Sequence, residues 1–166
     1  MNVLIVGSGR VGATLAGVLD EEGHHVTIID TDKASFSHLP RAFKGVTYLG
    51  NGADHDVLRT VGVDKVDWFL ALTQGDNRNL MAAQIAKEIF GVKRVIAKVN
   101  DPIRAEIYRG KGIQTLSRTT ILAVLLRAML QEEPEVGEVL MERTLDLEKR
   151  LAGEYAPTPK WVTAKR

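Results

Sequence analysis

The sequence predicts an α/β fold, a doubly wound, Rossmann-like six-stranded parallel sheet with an extra apolar C-terminal helix suited to an interface. Three observations predict it. Apolar runs of strand length alternate with stretches of helical period, the pattern of successive βαβ units. The strands are near-continuous in Val, Ile and Leu, as strands covered on both faces must be. A glycine-rich loop separates the first strand from the first helix.

In order, "NVLIVG" is the first strand, "VGATLAGVLDEEG" a helix ending at Gly23 and "HVTIID" the second strand. A polar loop leads to "VTYLGN", a helix near residues 54–61, "VDWFLALT", a helix near residues 77–90, "RVIAKV", a short helix near residues 103–109 and "IQTLS". The next helix, "TTILAVLLRAMLQ", is apolar at Ile121, Leu122, Val124, Leu125, Leu126, Ala128, Met129 and Leu130, which leaves almost no polar face. A surface helix needs a single apolar stripe, so the excess fits a subunit interface or an unusually well-covered core helix. From residue 132 the composition turns to charges, prolines and scattered apolar positions, a tail with one expected helix near residues 139–151. The organisation expected is therefore a nucleotide-binding domain over 1–131 and a charged tail over 132–166.

A chain of 166 residues supports one domain with a full core, not a cofactor domain plus a separate substrate domain. Its formal charge of +1 gives no electrostatic case for nucleic acid or membrane lipid, which directs attention to small-molecule and protein partners. Cysteine is absent, excluding disulfides, a thiol nucleophile and thiolate metal sites. Apolar runs fall far short of the roughly 20 residues that span a bilayer, and no secretory leader opens the chain, so a cytoplasmic location is expected.

Gly7, Gly9 and Gly12 form G-S-G-R-V-G between a strand and a helix, the context that gives this short motif its meaning. Gly7 permits the tight turn, Gly9 lets a phosphate approach the backbone without meeting a Cβ, and Gly12 allows close helix packing. Backbone N–H groups and the positive end of the helix dipole then face the phosphates. Arg10 adds a charged fork, Ser8 is small enough to leave the phosphates room, and Val11 completes the loop. Asp30 ends the second strand, where a carboxylate accepts from ribose hydroxyls and repels a 2′-phosphate. That disfavours NADP but does not choose among NAD(H), ATP, ADP and AMP. Thr31 and Asp32 follow it as further candidate ligand contacts, Asp32 reading alternatively as a solvated loop acid or helix cap.

Ligand crevices of open α/β sheets lie beyond the carboxyl ends of the strands. Asn51, Gly52 and Ala53 there bring backbone close to a base or ribose, and Thr73 supplies a hydroxyl. Asp54 and Asp76 suit helix capping. Lys98, inside an otherwise buried strand, requires either an exit to solvent or an anionic partner. His24, His25, His38 and His55 have no metal-ligand spacing, and no metal site is expected. Walker-type and G-x-S-x-G patterns are lacking. With no second domain to close over a nicotinamide, sensing is favoured over catalysis. The alternatives are a small NAD-dependent oxidoreductase, with Lys98 the sole buried proton donor, and a free-standing nucleotide-binding module.

The run from the glycine loop through "YLGNGAD", "FLALTQGDNRNLMAAQIAKEIFG" and "VIAKVNDP" to "GIQTLS" resembles the RCK N-terminal domain, also called TrkA-N, of the regulatory subunits of Trk and Ktr potassium uptake systems. The glycine loop alone does not separate this family from dehydrogenases; "GNGAD", "T-x-x-D-x-x-N" and "AKVNDP", in order and at family spacing, do. The resemblance covers residues 1 to about 131. It implies a non-enzymatic cytosolic gating subunit, a homo-oligomer of dimers within a ring, docked on a membrane-embedded potassium-translocating protein and binding NAD(H) or ATP/ADP. On that analogy Gly7, Gly9, Arg10 and Gly12 hold phosphates, Asp30 holds ribose, Asn51, Gly52 and Ala53 lie near base or ribose, and Thr73 and Lys98 line the crevice. Residues 120–131 match the family's crossover helix. Two departures stand out. Many members place Pro-Glu after the sixth strand, and in some the glutamate joins a divalent-cation site, whereas this chain has Ser117-Arg118-Thr119. The residues after the apolar helix are too few for a complete RCK C-terminal domain.

Overall fold

The computed structural model describes residues 1–130, which form six strands and five α-helices. The strands are β1 (Asn2–Val6), β2 (His25–Asp30), β3 (Val46–Leu49), β4 (Trp68–Ala71), β5 (Val95–Lys98) and β6 (Gln114–Leu116). The helices are α1 (Arg10–Glu21), α2 (His55–Thr60), α3 (Asp76–Gln84), α4 (Pro102–Gly110) and α5 (Arg118–Leu130). All ladders are parallel in the order β3-β2-β1-β4-β5-β6. The chain winds outward from β1 to one edge, returns to β4 and winds to the other, so the switch point lies between β1 and β4.

Side-chain alternation explains why the strands read as unbroken apolar runs. Leu4 and Val6 of β1 join Ile29, Phe69 and Ala71 in a core with Leu58, Leu80 and Ala83 from α2 and α3. Val3 and Ile5 face the other way, with Val26, Ile28, Leu70 and Ala16 of α1. Each face of the sheet thus has its own helix layer, and both residue parities must be apolar.

Local chemistry sets several boundaries. Asp54 accepts from Asp56 N and Val57 N at the start of α2, the capping expected of it. Asp101 does the same for α4, accepting from Ile103 N and Arg104 N, with Pro102 at the first helical position. Asp32 caps a 3-10 helix, Lys33–His38, inside what the sequence presents as a polar loop. The single helix expected over 77–90 is two pieces. After Gln84, α3 widens into a π-turn over Ile85–Ile89, with Phe90 N–H donating to Ile85 O at 3.2 Å.

The chain divides into two compact units, Met1–Ala123 and Val124–Arg166, and α5 runs across the division. In the first unit α5 exposes Ile121 and Leu122, and in the second Val124, Leu126, Met129 and Leu130. The helix expected over 139–151 lies outside the described residues. Among those described, no helix is long and apolar enough to cross a membrane.

Candidate functional site

One residue beyond the paired Ile29, Val6, Ala71 and Ala97, the sheet places Asp30, Gly7, Leu72 and Lys98 in a row across β2, β1, β4 and β5. Above that row opens a cleft of about 490 Å³. Its walls bring together Gly7, Gly9, Arg10, Val11, Asp30, Thr31, Asn51, Gly52, Ala53, Thr73 and Lys98 from five separate segments. Ser8, Gly12 and Asp32 stand outside the wall, each with a supporting contact instead. A second depression of about 400 Å³, beside α3 and α4, is lined by Leu80, Met81, Ile85, Ile89 and Tyr108 and lies away from the strand ends.

The glycine loop is built as its spacing demands. Gly7 has φ +108°, a conformation that L side chains rarely adopt, and an added Cβ would lie 2.9 Å from Thr73 N. At Gly12 a Cβ would come within 1.9 Å of Gly7 O, because α1 starts directly under the loop. At Gly9 a Cβ would meet nothing within 4 Å, since that position faces the open cleft. Gly9 is also the N-cap of α1 and has no side chain to satisfy the first N–H groups, which leaves them available to an anion.

Asp30 binds the loop in place. Its Oδ2 accepts from Ser8 N at 2.7 Å and its Oδ1 from Asp32 N at 2.9 Å, so each oxygen keeps capacity for a ligand hydroxyl. Ser8 is fully buried, and its hydroxyl donates to Ser35 O at 3.2 Å instead of facing the cleft. At the β3 end, Asn51 Oδ1 accepts from Ala53 N. Gly52 is glycine for packing, since an added Cβ would lie 2.2 Å from Val6 Cγ1.

Asn79, the last residue of the T-x-x-D-x-x-N pattern, joins β4 to β5. Fully buried at the first turns of α3, its Oδ1 accepts from Thr73 N (2.8 Å) and Thr73 Oγ1 (2.7 Å). Its Nδ2 donates to Thr73 O (3.1 Å) and Lys98 O (2.8 Å). The "T-x-x-D-x-x-N" spacing is thus a bracket. Asp76, expected as a helix cap, makes no cap bond to its own helix and accepts from Asn100 N and Asp101 N at 2.9 Å each.

Lys98 is half-buried, its Nζ donating to Leu72 O at 3.3 Å and reaching the cleft. Burial pushes its pKa below the usual lysine value, the Arg118 guanidinium adds to that push, and Asp76 opposes it. Arg78 and Arg118, missed from sequence, complete a lining with four Lys or Arg side chains and Asp30 as its sole carboxylate. Both sit at helix starts just beyond strand ends, the one signal that marks them.

A doubly wound sheet with a glycine loop at its switch point defines a Rossmann-like domain, and this cleft stands where such domains have their ligand crevice. More specifically, the chain belongs to the TrkA-N domain family, whose model matches residues 3–119. A Streptomyces coelicolor relative named Trk system potassium uptake protein TrkA is 42% identical over 136 residues, 81% of this chain and 61% of its own length. Among solved structures, the Shewanella denitrificans Kef C-terminal domain in its AMP-bound form superposes with a TM-score of 0.66 at 21% identity, over 90% of this chain and 92% of that one. GsuK bound to ADP gives 0.65 at 21%, over 80% and 34%. GsuK channel bound to NAD gives 0.58 at 21%, over 69% and 21%. At these identities the structural likeness speaks to the fold.

Proposed function

We propose that the chain is a nucleotide-sensing, non-enzymatic regulatory subunit of a potassium uptake system, acting at the cytoplasmic face of a membrane-embedded potassium-translocating partner. The observation that carries this reading is the open approach over Gly9 at the start of α1, flanked by the Asp30 carboxylate. The name of the Streptomyces relative supplies the physiological setting, and the AMP, ADP and NAD of the superposable structures supply the ligand class.

In this reading the phosphates of NAD(H), ATP or ADP rest on Gly7, Gly9, Arg10 and Val11. The ribose hydroxyls bond to Asp30 beside Thr31, and the base lies by Asn51, Gly52 and Ala53. Ser8, Gly12 and Asp32 hold the loop from behind. The exposed apolar side chains of α5 pack against a second copy, forming dimers within a ring. A nucleotide regulates such an assembly only through different affinities for two of its conformations, since equal binding to both shifts nothing.

Potassium uptake at limiting external potassium tests the reading in host cells lacking the chain. Complementation by the wild type and failure of Gly9→Ala, at equal protein levels, is the expected result. Equal complementation by Gly9→Ala contradicts nucleotide sensing, and unimpaired uptake without the chain contradicts the potassium assignment.

A further inference from the structure

Beyond β3 the chain turns through Asn51-Gly52, the sole Asn-Gly pair of the sequence. Asp54 N–H closes the turn by donating to Asn51 O at 2.9 Å, and the Asn51 side chain folds over the same turn, its Oδ1 accepting from Ala53 N–H at 3.0 Å. Asn51 is exposed and lines the cleft. Gly52 N–H has no hydrogen-bond partner among the described residues.

These features favour one reaction, attack of a backbone nitrogen on the side-chain carbonyl of the preceding asparagine. The nitrogen of Gly52 is not held by an acceptor, and a residue without a Cβ does not hinder ring closure. The turn keeps both reacting groups together, and the Ala53 N–H at Oδ1 stabilises the negative charge that develops on that oxygen. We propose that Asn51 is a site of spontaneous deamidation, at which Gly52 N bonds to Asn51 Cγ and the side-chain amide nitrogen leaves as ammonia, carrying the Gly52 proton. Water then opens the cyclic imide at either carbonyl to give aspartate or isoaspartate, and nothing is oxidised or reduced. Either product adds a carboxylate to a lining in which Asp30 is the sole one. The added charge repels phosphate, and the lengthened backbone of isoaspartate disturbs the close packing of Gly52 on Val6, so nucleotide affinity falls. That consequence, unlike the site itself, rests on the nucleotide reading given above.

Peptide mapping of the full chain after incubation at mildly alkaline pH, native and unfolded in guanidinium chloride, tests the site. Asn77, followed by Arg78, and Asn100, followed by Asp101, are internal controls. Asn51 is expected to convert ahead of both, to a mixture of aspartate and isoaspartate, and at least as fast in the native chain as in the unfolded one. Slower conversion of Asn51 in the native chain, or conversion of either control ahead of it, overturns the site. Titration with ADP is expected to show a bound fraction that falls in step with the converted fraction, and undiminished binding by the converted chain overturns the consequence. Failure of fresh protein to bind ADP overturns the nucleotide reading, while the mapping still decides the site.

Discussion

Ser8 N–H donates to Asp30 Oδ2 at 2.7 Å, which makes the ribose-binding candidate also the anchor of the glycine loop. Because Ser8 is fully buried, losing this acceptor strands a buried donor at a cost of about 1–3 kcal/mol. Asp30→Ala is therefore expected to lower the melting temperature and to weaken adenine nucleotides by at least about tenfold. Asp30→Asn retains one acceptor oxygen, and its loss in both measurements is expected to be smaller. Differential scanning fluorimetry with and without nucleotide checks both.

Gly9 and Gly12 predict opposite balances of folding and binding. Gly12→Ala forces a Cβ against Gly7 O, an overpacking expected to cost about 1–3 kcal/mol and to disorganise the loop. Gly9→Ala meets no atom within 4 Å and is expected to melt within a few degrees of the wild type, yet to lose nucleotide affinity because its methyl occupies the approach. Thermal melts paired with titration separate the two.

Asn79→Leu is expected to be among the more damaging core substitutions, at about 2–4 kcal/mol, since it strands Thr73 N and Lys98 O inside the protein. Urea unfolding measures this directly. Asn79→Asp keeps the acceptor for Thr73 but sets a buried carboxylate oxygen against Thr73 O and Lys98 O, and is expected to be at least as damaging at neutral pH.

Lys98 gives the protein an alkaline signature. Its folded pKa lies below the unfolded value, so between the two the unfolded chain holds more protons and stability rises with pH. Nucleotide binding runs the other way, because a polyanion favours the charged ammonium and its affinity falls as pH rises through the lowered value. Titration with ATP across the alkaline range is expected to show this decline in the wild type and its loss in Lys98→Met. An identical slope in both contradicts a role for Lys98 at the ligand.

The central strands were legible as near-continuous apolar runs with a helix layer on each face, the largely exposed edge strands β3 and β6 less so, and Gly7 and Gly12 were legible as glycines where a Cβ has no room. Asp30 was legible from its distance to the loop, although its bond to Ser8 was not. Asn79 was legible as the last residue of the T-x-x-D-x-x-N pattern, but its bonds to Thr73 and Lys98 were not, since they exist only once β4 and β5 are adjacent. Arg78 and Arg118 were hidden for the same reason, their common cleft being assembled from segments forty residues apart. The 3-10 helix at Lys33–His38 and the π-turn at Ile85–Ile89 are too short for a hydrophobic period to mark them.

The measurement that bears most directly on the central claim is an equilibrium titration of the wild-type chain with ADP, NADH and NADPH. The Asp30 carboxylate predicts binding of ADP and NADH and a preference for NADH over NADPH of about tenfold or more, since a 2′-phosphate meets the carboxylate. NADPH binding as tightly as NADH, or binding of none of the three, would contradict the account.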